Sequence, residues 1–327
     1  MLCVLAAPVL PGCAAPQARP EGAPAARIFE LRSDFWVNLH ERLFAETNPP
    51  HFAHLEEQEG AAAYTPDERA GWDAALALYR ARFPERSILV TLEPPLSDLH
   101  RRLALQAERP DLAGAGLDAE LASTLARAAA VYRAHGWAAD ERSNRAWIAG
   151  LEPRLERLGG EYARALAAAY ETRWPEGPIR VEVAIRAGIV GAYTQGDPPL
   201  VTIASGLPSY QGDAALEMVF HEASHVVSDP GLEAAIDRAC RARGRAVPGS
   251  LWHAVLFYTA GEIARRLIPG YTPYATVNGL YARAPGWDAA ERAMHAAWRP
   301  HLERSVGLDA AVGALIAALP VEAPPGP

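Results

Sequence analysis

Between Ile179 and Ala204 the hydrophobic pattern of the chain changes period, from the 3.6 residues of a helix to the 2 of a strand. Ile179-Arg180-Val181-Glu182-Val183-Ala184-Ile185 alternates apolar with mostly polar side chains, and Leu200-Val201-Thr202-Ile203-Ala204 follows after a Gly-Asp-Pro-Pro turn. A chain with a single such stretch cannot build a large sheet, so its helices must share a small one. The pattern predicts an α+β architecture dominated by helices. Its sheet should be small and antiparallel, with no more than six strands and none drawn from residues 30–150.

The flanks read as helices. Phe35, Trp36, Leu39, Leu43 and Phe44 recur at helical spacing and Pro49-Pro50 stops the run. Thr65-Pro66-Asp67-Glu68 is a capping box with proline at the first helical position. A helix from Asp118 to His135 should close at a left-handed Gly136. Helical patterns resume at Asp213 and continue to Leu319, with breaks near Pro230, Pro248 and Pro269. Half of the 327 residues are hydrophobic, which supplies a core and excludes a disordered chain. A net charge of −8 weighs against nucleic acid as a partner, because neutralising phosphates needs a basic surface.

The N-terminus reads as an export signal. Residues 2–10, LCVLAAPVL, form an apolar run too short to cross a bilayer as a helix, and Leu10-Pro11-Gly12-Cys13 resembles a bacterial lipobox. The resemblance implies a signal peptide over 1–12, a lipidated Cys13 and a Pro- and Ala-rich tether over 13–27. The protein would then be periplasmic or anchored to the outer membrane, touching lipid only through that anchor. With Cys3 removed and Cys13 acylated, only Cys240 remains, so no internal disulfide can form and stability must come from packing or a metal.

The chemistry is concentrated in His221-Glu222-Ala223-Ser224-His225, within an apolar run that includes Leu216, Val219, Phe220 and Val226. Four residues is slightly more than one helical turn, so both histidines project from one face and can meet one zinc ion. Glu222 lies about 100° round the helix, close enough to act on a water at the metal without ligating it. About 0.02 matches to this five-residue pattern are expected by chance in a chain of this composition.

The segment from about 179 to 285 resembles the zincin metallopeptidases, whose His-Glu-x-x-His helix packs beside a sheet with an edge strand that can pair with extended substrate. The resemblance implies zinc on His221 and His225 and Glu222 as general base toward a peptide or protein substrate. The metzincin extension is absent: Ser228 and Gly231 stand where its glycine and third histidine belong. The glutamate-zincin branch takes its third ligand from a later helix, and Leu251–Arg266 offers Glu262, with His253 as the alternative and Glu233 or Asp229 behind them. His253 and Glu262 are about 180° apart round that helix and about 13.5 Å apart along it, so both cannot serve one ion.

Tyr271 and Tyr274 follow in a loop and are candidates to hydrogen-bond an oxyanion. The expected organisation is a helical N-terminal region over 28–175, a zincin-like core over 176–285, and C-terminal helices and a tail over 286–327. The expected function is a zinc-dependent hydrolase of the bacterial envelope, most simply a metallopeptidase. The alternative is an envelope binding or assembly lipoprotein that keeps the scaffold without hydrolysis.

Overall fold

The computed structural model describes residues 28–48, 64–84, 93–107 and 109–320. The signal segment, Cys13 and the whole of the tether lie outside these. The described chain is α+β and mostly helical. Strand β1 (Phe29–Arg32) precedes five helices: α1 (Phe35–Glu46), α2 (Pro66–Arg82), α3 (Pro94–Ala104), α4 (Ala119–His135) and α5 (Trp137–Arg154). A π-turn over Leu155–Gly159 carries α5 into α6 (Gly160–Ala169). Strands β2 (Ile179–Ala184), β3 (Ala192–Gln195) and β4 (Leu200–Ala204) come next. Helices α7 (Asp213–Val227), α8 (Gly231–Arg241) and α9 (Leu251–Leu267) follow, and shorter helices lead to a last one over Leu308–Ala318. Among the described residues no helix is long and apolar enough to cross a membrane.

Local signals worked where the chemistry was local. Thr65 accepts from the backbone N–H of Glu68 while Glu68 accepts from that of Thr65, the capping box expected at the start of α2. Gly136 is the exception: its φ of −122° is not left-handed, because the chain turns directly into α5.

The sheet corrects two expectations. Its order is β1-β2-β4-β3, so one strand does come from the N-terminal region that reads as helical. It is also mixed rather than antiparallel: β1 and β4 both run parallel to β2, and only β3 pairs antiparallel, with β4. The turn before Leu200 returns the chain from β3 rather than from β2, and this places β4 parallel to β2.

Alternation gives the sheet two unlike faces. Ile179, Val181, Val183, Ala192, Val201 and Ile203 point into one apolar core, shared with α5, α6, α7 and α9. The opposite face carries Arg180, Glu182, Tyr193, Gln195 and Thr202. It is not solvated: Glu182 and Thr202 are fully buried under α1 and α3. Those polar groups are met by polar groups. Arg180 pairs with Glu182 at 2.6 Å and Asp34 at 2.9 Å, and Asn38 donates to the Val183 carbonyl at 3.1 Å. Glu41, on α1, accepts from the Tyr193 hydroxyl at 2.5 Å and the Gly188 N–H at 2.8 Å.

Burial pushes the Glu41 carboxyl up to about 7, against the pull of those two donors. The folded protein therefore takes up a proton that the unfolded chain releases. The stabilisation this provides is full below about pH 4.5 and is lost as pH rises through about 7. Glu41→Gln cannot ionise and keeps an acceptor for Gly188. Measured by denaturant unfolding, its stability relative to wild type should improve by about 2 kcal/mol between pH 5 and pH 8. A difference independent of pH would mean that Glu41 does not titrate in the fold.

Candidate metal centre

Helix α7 is packed on nearly all sides. Phe220 stacks face to face on Tyr162, with centroids 4.0 Å apart and rings 5° from parallel, and meets the edge of Phe29 at 5.0 Å. With Phe220 fixed against α6 and β1, the following His221 turns toward α9, where its ring stacks on Phe257 at 3.7 Å.

There His221 and His225 meet His253, in the first turn of α9. One ring nitrogen of each lies within 4.8 Å of those of the other two, and the three ring centroids are mutually 5.2 Å apart. The His221 and His253 Nε2 atoms are 3.3 Å apart. Two imidazole nitrogens on one tetrahedral zinc ion, each about 2.05 Å from it, are separated by about 3.3 Å, so the residues present fit the metal. Burial drives all three imidazoles toward the neutral form that ligates. His221 is held well below its ordinary value by burial and then by its two neighbours, His225 is pushed down to about 3, and His253 to about 4. Among the described residues this is the one such group, and it has three members.

Glu262, the expected third ligand, is not in it. Its carboxylate accepts from Arg265 Nε at 3.0 Å and Nη2 at 2.6 Å, three residues along the same helix. The cost of a carboxylate on a buried helix is offset by that bidentate pair and not by a metal. His253 takes the position because its face of α9 packs on α7. Asp229 and Glu233 are exposed and stand apart from the cluster.

Glu222 is 3% exposed and faces strand β3. Thr194 Oγ1 is 2.7 Å from Glu222 Oε2 and 3.0 Å from its backbone carbonyl oxygen. Burial pushes the Glu222 carboxyl up to about 7, and the Thr194 hydroxyl partly opposes it. Neither Thr194 nor Tyr210 carries a sequence signal that would have marked it. Tyr210 is buried beside Tyr274, with ring centroids 5.4 Å apart, and its phenol is raised by burial first and then by the nearby Tyr274 and Glu222.

The two candidate tyrosines part company. Tyr274 stacks on Phe257 at 6.3 Å, one ring removed from His221. Tyr271 instead places its buried hydroxyl near Glu217, without a hydrogen bond of ordinary geometry. Glu217 is fully buried one turn before His221, and its Oε2 accepts from the Tyr274 N–H at 2.9 Å. Gly261 makes this approach of helix and loop possible: a Cβ there would lie 2.7 Å from Pro273 Cβ and 3.3 Å from Glu217 Oε1.

Trp252 completes the surround, stacked on His253 at 5.0 Å and edge-on to His225 at 5.4 Å. Comparison with known protein families, with curated proteins and with solved structures finds no match for the chain.

Two substitutions separate the ligand assignments. His253→Ala should lower zinc affinity by more than the roughly 100-fold that loss of an outer-shell partner can cost, while Glu262→Ala should change it little. Zinc titration against a competing chelator measures both. Retention by the first variant with loss by the second would return the role to Glu262.

Proposed function

We propose that the chain is a zinc-dependent hydrolase, a metallopeptidase acting on peptide or protein substrates in the bacterial envelope. The observation that carries this reading is the pairing of three converging neutral imidazoles with a buried carboxyl, Glu222, on the helix that supplies two of them. His221, His225 and His253 would hold the ion. When bound, zinc supplies a Lewis acid that polarises a carbonyl and acidifies water.

Glu222 takes the proton of the attacking water and passes it to the leaving amine. Its Oε2 is oriented by Thr194, which leaves Oε1 for that transfer. Burial, which raises this carboxyl, favours its protonated form, the form it passes through between the two transfers. Tyr274 is the candidate donor toward the developing oxyanion. Among the described residues strand β3 ends the sheet, beside α7, and in this reading its outer edge is where an extended substrate would pair.

Among the described residues the cluster offers three ligands rather than four, which supports catalysis over a purely structural site that closes its coordination sphere with protein atoms. The proposed envelope location rests on Gly12-Cys13 and the apolar run before it.

Glu222→Gln should bind zinc in the same stoichiometry and lose at least about 100-fold of the turnover of fluorescein-labelled casein, the lower range for a lost general base. Activity kept by the zinc-loaded variant would exclude the mechanism, and a zinc-loaded wild type that cleaves neither casein nor a mixed peptide pool would favour the binding lipoprotein.

A further inference from the structure

Strand β3 is four residues long and, among the described residues, lies at the end of the sheet with one strand neighbour, β4. Short edge strands are weakly held. Yet β3 carries Thr194, the residue whose hydroxyl orients the Glu222 carboxyl. The residues on either side of Thr194 point to the opposite face, and both end in the buried polar layer under α1 and α3.

On one side, Glu41 accepts from the Tyr193 hydroxyl with one oxygen and from the Gly188 N–H with the other, so a single carboxyl grips both β3 and the loop leading into it. On the other, Gln195 donates to the Ser97 carbonyl at 3.0 Å and to the Ser97 hydroxyl at 2.6 Å. Those bonds fix the orientation of its amide. Its Oε1 therefore accepts from His100 Nδ1–H at 2.8 Å, which leaves His100 Nε2 to accept from Thr202 of β4 at 3.1 Å. Glu41, His100, Gln195 and Thr202 are each at most 2% exposed.

We propose that the N-terminal helical layer is a positioning device for Glu222: Glu41 and His100 hold β3 from one face through Tyr193 and Gln195, and β3 holds Glu222 from the other through Thr194. The proposal rests on the reading of Glu222 as the base. Glu41 and His100 touch neither metal nor substrate, and act only through the strand. The layer's polar face is thereby given a use that an apolar face could not serve, since apolar packing would not fix the strand's position along its own axis to hydrogen-bond tolerance.

The full chain, zinc-loaded, tests this with two independent readouts. Amide hydrogen exchange follows residues 192–195 whether or not a substrate is cleaved, and casein turnover follows Glu222. Tyr193→Phe keeps the ring and removes its bond to Glu41. It should raise exchange of the β3 amides by about tenfold or more, leave zinc content unchanged, and lower kcat by about tenfold to a hundredfold with KM little altered. Thr194→Val should lower kcat similarly without raising β3 exchange, and Thr194→Ser should restore most of it. Because both substitutions act through one path, the double variant should be no slower than Thr194→Val alone. If Tyr193→Phe fails to fold, Gln195→Met releases the other end of the grip and carries the same expectations. Unchanged β3 exchange, unchanged kcat, or fully multiplicative effects in the double variant would overturn the proposal. Absence of hydrolysis by wild type would instead remove the peptidase reading, and with it the role at Glu222, while exchange would still decide whether the layer clamps the strand.

Discussion

From Glu217 onward helix α7 carries four ionisable groups, Glu217, His221, Glu222 and His225, along a stretch that is almost wholly out of water. Burial is the leading cause of every one of their displaced protonation equilibria, and each group has to be met locally or stay neutral. Much of the surrounding architecture follows from that demand. Thr194 comes to Glu222 from the sheet edge, the Tyr274 backbone comes to Glu217 from the loop after α9, and His253 comes to His221 and His225 from the start of α9. The apolar parts of the helix do the remaining work: Phe220 locked between Tyr162 and Phe29 sets the rotation that aims the imidazoles at α9.

The sheet shows how an alternating sequence can mislead about solvent. Ile179–Ile185 looks like a strand with one wet face, and the polar residues are there, but α1 and α3 cover them. Glu182 sits against Asp34 and Arg180, its carboxyl pushed up chiefly by burial. A molecule built this way has a buried hydrogen-bonded seam between two apolar clusters, and the members of the seam are specific to one register.

The parts legible in the sequence were those decided within a few residues: the capping box at Thr65, the proline breaks around α8 and α9, and the shared face of His221 and His225. Strand β1 was not, because Phe-Glu-Leu-Arg at the head of a long helical run has no length over which a period can be counted. Strand β3 was not, because Ala192-Tyr193-Thr194-Gln195 has polar and aromatic groups that both faces of the sheet use. The third ligand turned on a longer-range fact. Helical geometry shows that His253 and Glu262 lie on opposite sides of α9, but which side meets α7 is settled by packing across some thirty residues of chain. The Glu262 carboxylate finds its partner within its own helix, in Arg265.

The parallel pairing of Phe29 with Ile179 has a consequence for how the chain reaches this state. Strand β1 cannot find its neighbour until the roughly 150 residues between the two strands have been made. Contacts of such high order are slow to form and leave the early chain waiting. The helices between the two strands can each assemble locally in the interval, but the sheet edge beside β2 stays open until the N-terminus returns to it. Anything that tethers or delays residues 29–32 therefore acts on the pairing of β1 with β2 and not on the local helices between them.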